Sequence, residues 1–233
     1  MKLSRLSRRS LLATGGAAVV AAAAAQPAVA AAAAQPAVTP DEALRRLLRG
    51  NHRFVAGHGR HPHQSLDDLH RLAAGQHPFA VTVGCADSRV APEVLFDQGL
   101  GDLFDNRVAG NIVDDLLLGS VELAVEEFHS PLIIALGHER CGAITATIDA
   151  IRSGGTAPGH IGTIVEALRP IVAPVLEQPG DPVDNAVRAN VRAQVRGLVE
   201  RSPIIAERVH QRALRVVGGR YDLDTGRVTL VDP

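Results

Sequence analysis

The chain has 233 residues, with 24 basic and 25 acidic side chains and a formal net charge of −1 at neutral pH. So even a balance gives no electrostatic basis for binding nucleic acid or an anionic membrane surface. Hydrophobic residues make up 46% of the chain and aromatics only 3%, so a core must be built from Ala, Val, Leu and Ile.

The start reads as an export signal. Arg8 and Arg9 stand just before an uncharged, Ala-rich stretch that runs to Val38, and Ala28-Val29-Ala30 supplies small residues for cleavage. The arginine pair points to the twin-arginine route, which carries proteins already folded. Residues 1–30 are therefore expected to be a twin-arginine-type signal peptide, 31–38 a disordered tether, and 39–233 a single folded domain. An uncleaved membrane anchor is the alternative, since the run is long enough to span a bilayer. Gln26, Pro27, Gln35 and Pro36 interrupt it, however, and alanine is a weak membrane residue. After cleavage the protein is expected to be periplasmic or extracellular and free of the membrane.

Thr39-Pro40-Asp41-Glu42 opens a helix to about Ala56: Thr39 caps, Pro40 suits the first turn, and Glu42 completes a capping box. A Gly/His/Pro loop from Gly57 to His63 leads to a second helix over about 65–74. The histidines of that loop lack acidic partners at fixed spacing and read as solvated. Phe79 to Val83 is a buried strand, Leu103 to Val108 a second, and Asp114 to His129 has helical periodicity. Leu132-Ile133-Ile134-Ala135-Leu136, closed by Gly137, is the strongest strand signal. Helices are expected over 141–151, 161–176 and 183–200, then strands over 214–218 and 227–231. Strands alternating with helices imply an α/β fold with a mostly parallel central sheet flanked by helices.

Two segments carry chemistry. Gly84-Cys85-Ala86-Asp87-Ser88-Arg89 directly follows the strand at 79–83, and Gly137-His138-Glu139-Arg140-Cys141-Gly142 directly follows the strand at 132–136. Ligands of open parallel sheets bind beyond the carboxyl ends of the strands, so both segments would meet in one crevice. One histidine and two cysteines form a three-ligand zinc set, which leaves a fourth position for catalysis. As an exported protein's only cysteines, Cys85 and Cys141 could instead form one disulfide; their neighbours favour metal. Asp87 could close the fourth position as a carboxylate. Arg89, two residues on, can hold Asp87 in a bidentate pair and keep it off the metal. Glu139 and Arg140 read as surface charges.

Cys-Ala-Asp-Ser-Arg-Val at 85–90 and Gly-His-Glu-Arg-Cys-Gly-Ala-Ile at 137–144 resemble the two signatures of the β-class carbonic anhydrases. Residues 101–112, Gly75-Gln76-His77-Pro78 and Asn190-Val191 are also similar, and the resemblance covers roughly Asp41 to Asp232. It implies four parallel strands plus one antiparallel, one Zn2+ per subunit, and a homodimer or higher homo-oligomer. By the same resemblance Cys85, His138 and Cys141 are the metal ligands, and Asp87 and Arg89 the catalytic pair. Gln76, Phe104, Ala109 and Gly142 match substrate-binding positions. The implied reaction is reversible hydration of carbon dioxide to bicarbonate by a zinc-bound hydroxide that Asp87 orients. Zinc lowers the pKa of bound water steeply, to about 7, a figure that comes from carbonic anhydrase itself.

There are departures. A wall position often held by Tyr is Leu123, and the Trp of a subgroup closed by bicarbonate is Thr82 here, although Arg107 matches that site's arginine. No bicarbonate switch of that kind is expected. The alternatives are a hydrolase of carbonyl sulfide or carbon disulfide on the same fold, and a non-catalytic zinc- or bicarbonate-binding protein.

Overall fold

In the computed structural model, which describes residues 38–232, the central strands are the most apolar segments of the chain. The expected signal peptide, and the tether up to residue 37, lie outside the described residues. β1 (Ala80–Gly84) and β3 (Leu132–His138) are buried at every position. Strands buried on both faces read as continuous apolar runs, which is why these two were legible. β2 (Leu103–Arg107) and β4 (Arg215–Tyr221) pair parallel to them, and β5 (Val228–Val231) pairs antiparallel to β4. The order is β2-β1-β3-β4-β5, so four strands are parallel and one antiparallel, as expected. β4 extends three residues beyond the expected strand, to Tyr221.

Helices cover both faces. α1 (Pro40–Val55) starts where expected, with the Thr39 hydroxyl accepting from the Glu42 N–H, and buries Ala43, Leu44 and Leu47; the expected capping box is only half formed, because the Glu42 carboxylate accepts from Arg45 and Arg49. With α3 (Pro92–Leu95) it packs on the face formed by Ala80, Leu132, Ile134 and Leu136. α2 (Leu66–Leu72) carries a capping box from Ser65 to Asp68. α4 (Asp115–Glu127) and α8 (Pro203–His210) lie on the opposite face, against Val81, Val83 and Ile133. α5 (Gly142–Ser153), α6 (Ile161–Val172) and the 20-residue α7 (Pro182–Arg201) share a third cluster that includes both cysteines.

α7 can approach β3 and β4 closely only because glycines face it. A Cβ on Gly137 would stand 2.7 Å from the Val191 side chain, and one on Gly218 would stand 2.5 Å from it. Two helices escaped the sequence reading. α3 is one turn long, too short to show periodicity. α8 follows α7 across Ser202, whose hydroxyl accepts from the Ile205 N–H. The pair Ser202-Pro203 is a cap followed by a first-turn proline, a signal that was present to be read. No helix among the described residues is long and apolar enough to cross a membrane.

Candidate metal centre

β1 and β3 are neighbours, with Gly84 opposite Leu136. Cys85 leaves β1 just past its carboxyl end, and His138 is the last residue of β3. Cys141 is the N-cap of α5. The sheet and this helix start bring one donor atom from each residue within 4.8 Å of the others, and all three residues are buried. Both cysteines are free thiols.

The electronic state of the cluster suits a cation. The Cys141 thiol donates toward Cys85 and, with the main-chain N–H groups of Gly110 and Asp87, draws Cys85 down to about 4 against the effect of burial. The same shared proton, together with burial, pushes Cys141 up. The metal-free pair therefore holds one proton between two sulfurs, and a divalent cation would displace it. The His138 Nδ1 lies 2.8 Å from the Glu139 carbonyl oxygen. A carbonyl only accepts, so Nδ1 carries the hydrogen and Nε2 the lone pair. That Nε2 is buried and has no hydrogen-bond partner among the described residues. An orphaned imidazole nitrogen beside two thiols is the donor set that zinc takes.

Asp87 stands at the rim. Its Oδ1 accepts from the Arg89 N–H and Nε, both at 2.9 Å, and its Oδ2 accepts from Nη2 at 2.7 Å. The Arg89 guanidinium, aided by its N–H and opposed by partial burial, holds this carboxyl well below the usual carboxylate range. Oδ2 lies 4.0 Å from His138 Nε2. Oδ2, the oxygen nearer His138, accepts one hydrogen bond where Oδ1 accepts two, and so keeps a spare lone pair.

The loop itself is clamped. Arg107 donates from Nε to the Cys85 carbonyl at 2.9 Å and from Nη2 to the Asp87 carbonyl at 2.6 Å. The Gly110 N–H points at Cys85 Sγ, 3.4 Å away. Asn190, buried on α7, fixes that peptide unit by donating to the Gly110 carbonyl at 2.8 Å, and accepts in turn from Gln194 at 2.8 Å. The sequence marked Asn190 only as a matching residue and gave it no task.

A family model described as carbonic anhydrase matches residues 80–228. Carbonic anhydrase 2 of Mycobacterium tuberculosis is 45% identical over 197 residues, covering 84% of this chain and 95% of that protein. The chain belongs to the β-carbonic anhydrase family. Among solved structures, a Coccomyxa β-carbonic anhydrase in complex with acetazolamide is 30% identical, with a TM-score of 0.63, over 70% of this chain and 76% of that one. One of two tetrameric β-carbonic anhydrases from Sordaria macrospora is 26% identical, with a TM-score of 0.66, over 82% of this chain and 97% of that one. Membership makes the chain an enzyme of the carbonic anhydrase class and supports carbon dioxide hydration as its reaction.

Not every expected site residue sits at the cluster. Ala109 belongs to the short 3-10 turn beside Cys85, and Gly142 begins α5 next to Cys141. Gln76 precedes β1 whereas Cys85 follows it, so about 16 Å of strand separates them. Phe104 lies mid-strand opposite Val81, its ring 5.7 Å from that of Phe128. Leu123 is 51% exposed on α4. Within one chain, then, Gln76, Phe104 and Leu123 do not meet the cysteines. Thr82, in the Trp position of the bicarbonate-closed subgroup, is fully buried and donates to Asp105.

Proposed function

We propose that the chain binds one zinc ion per subunit through Cys85, His138 and Cys141 and catalyses reversible hydration of carbon dioxide to bicarbonate and a proton. The observation that carries this reading is the orphaned His138 Nε2 buried beside two free thiols, with Asp87 held aside by Arg89. Bound zinc supplies the Lewis acidity that makes water a nucleophile near neutral pH.

The chain's own residues do the rest. Asp87, kept ionised by Arg89, accepts a hydrogen bond from the attacking water through Oδ2 and turns its lone pair toward the carbon. Arg89 also keeps Asp87 from filling the open position. The N–H at Gly142 and the positive end of α5 receive the oxygen on which negative charge grows. Ala109 gives an apolar wall to a substrate that has no net dipole. Gln76 and Phe104 complete the pocket from a second subunit, so the active form is a homodimer or larger homo-oligomer. The proton released on each turnover passes to buffer. The leader at 1–30 directs the chain out of the cytoplasm, so this chemistry is carried out in the periplasm or outside the cell.

The test offers zinc-loaded full chain carbon dioxide, carbonyl sulfide or carbon disulfide in separate rapid-mixing experiments. Fast acidification with carbon dioxide is expected. Turnover of a sulfur gas alone would move the chain to the hydrolase reading, and no turnover of any gas would make it a binding protein.

A further inference from the structure

One peptide, between Glu139 and Arg140, fixes the orientation of the His138 ring, because its carbonyl oxygen takes the Nδ1 hydrogen at 2.8 Å. The tilt of that carbonyl is set by ψ of residue 139 and φ of residue 140. The latter is +50°, in the left-handed region that a side chain such as arginine avoids. Something must hold it there. Both flanking residues are tied to the same short stretch, the end of β4 and the turn that follows it. The Glu139 N–H donates to the Tyr221 carbonyl at 3.0 Å. One Glu139 carboxylate oxygen accepts from Arg220 Nη2 at 2.6 Å and the other from the Leu223 N–H at 2.9 Å. Arg140 forms a two-pronged pair with Asp224, at 2.7 and 3.0 Å.

Arg220 anchors this arrangement. Its side chain is only 11% exposed, and besides Glu139 it meets Asp222 at 3.1 Å and Asp184 of α7. Ion networks this deeply placed seldom stabilise a fold more than apolar packing would. What this one does is give the Glu139 side chain a single position, immediately next to a metal ligand.

We propose that Glu139, anchored by Arg220, is a positioning residue for His138: it fixes the carbonyl that orients the ring and so aims Nε2 at the metal. The inference rests on the zinc reading above. Partners that orient ligating histidines typically alter metal affinity by about 10–100-fold when removed.

The test measures zinc binding to the metal-stripped full chain by competition with a chromophoric chelator. Visible spectra of the cobalt-substituted protein and melting of the metal-free protein accompany it. Glu139→Ala leaves Arg220 paired with two aspartates. It should weaken zinc binding roughly 10–100-fold and shift the cobalt bands, with metal-free melting close to that of the parent. The double variant Glu139→Ala/Arg220→Met should bind zinc no more weakly than Glu139→Ala, since both act through one carbonyl. Arg188→Ala, which removes an Asp184 partner remote from the ligand turn, should leave affinity unchanged. Should Glu139→Ala not fold, Asp224→Ala carries the test. Asp224 is 69% exposed, and its loss should weaken zinc binding several-fold by freeing residue 140. Parental affinity and cobalt spectrum in the folded variant would overturn the proposal, as would losses that simply track melting temperature or are shared by Arg188→Ala. A parent chain that binds no zinc would instead remove the zinc reading, and this inference with it.

Discussion

Arg89 and Asp87 form a closed, two-pronged pair at the edge of a cluster made of two cysteines and a histidine. Three hydrogen bonds from one residue, at 2.9, 2.9 and 2.7 Å, fix both carboxylate oxygens. If Cys85 holds zinc as proposed, a carboxylate two residues on would otherwise be well placed to become the fourth ligand itself. The pair thus bears on whether the centre is open or shut, and it gives Asp87→Ala a distinctive phenotype. Zinc content should stay at the parental level while the carbon dioxide hydration rate falls roughly 10–100-fold. Metal analysis and rapid-mixing rates on the same preparation check this; a full rate in the variant would sink the orienting role. Because Arg89 holds Asp87 below the usual carboxylate range, the parent's rate should show no inflection from this group between pH 5 and about 9.

Replacing Cys141 by serine removes a thiolate and leaves a hydroxyl that binds zinc poorly. Cys141→Ser should lose its metal on dialysis and its activity with it. Its fold should persist, since the new side chain is of nearly the same size. Retention of stoichiometric zinc would mean that Cys141 is not a ligand.

Asn190→Ala probes the buried strut behind Cys85. Alanine strands the Gly110 carbonyl and the Gln194 amide without their 2.8 Å partners. Each buried orphan costs about 1–3 kcal/mol, so the two together should lower the melting temperature by roughly 4–24 °C, at about 2–4 °C per kcal/mol for a chain of this size. Thermal melts decide it, and an unchanged melting temperature would show that the strut does not stabilise the fold.

Asp105 offers a pH test away from the metal. Burial, offset in part by the Thr82 hydroxyl and reinforced by the neighbouring Glu93 carboxylate, pushes it up to about 7. The folded state therefore keeps a proton that the unfolded chain releases near pH 4. The unfolded state binds fewer protons in this window, so Asp105 lowers stability as pH rises from about 4 to about 7. Asp105→Asn retains an acceptor for Thr82 and should melt several degrees above the parent at pH 8. At pH 4 the two should melt together. Equal melting at both values would show that Asp105 ionises normally.

Much of this was legible because its causes are local. The Thr39 cap, the apolar run at 132–136 and the spacing of His138 to Cys141 each act within a few residues. α3 and α8 were missed for want of length, although Ser202-Pro203 announced the second. Arg140 is a surface charge as expected, but Glu139 is not: it is partly buried against Arg220, and the partners of the two, Arg220 and Asp224, lie 81 and 84 residues away, a contact that no periodicity encodes. The same holds for Asn190 and Gly110, 80 residues apart. Gln76 and Phe104 show the opposite limit, since resemblance marks them as site residues while a single chain keeps them apart from it.

The central claim is that Cys85, His138 and Cys141 hold one catalytic zinc. The most direct measurement titrates zinc into metal-stripped full chain and follows the initial rate of carbon dioxide hydration at pH 8 by rapid mixing with a pH indicator. The rate should rise in proportion to added zinc and break sharply at one equivalent per chain. A rate that stays at the level of free zinc, or one already complete without metal, would contradict the account.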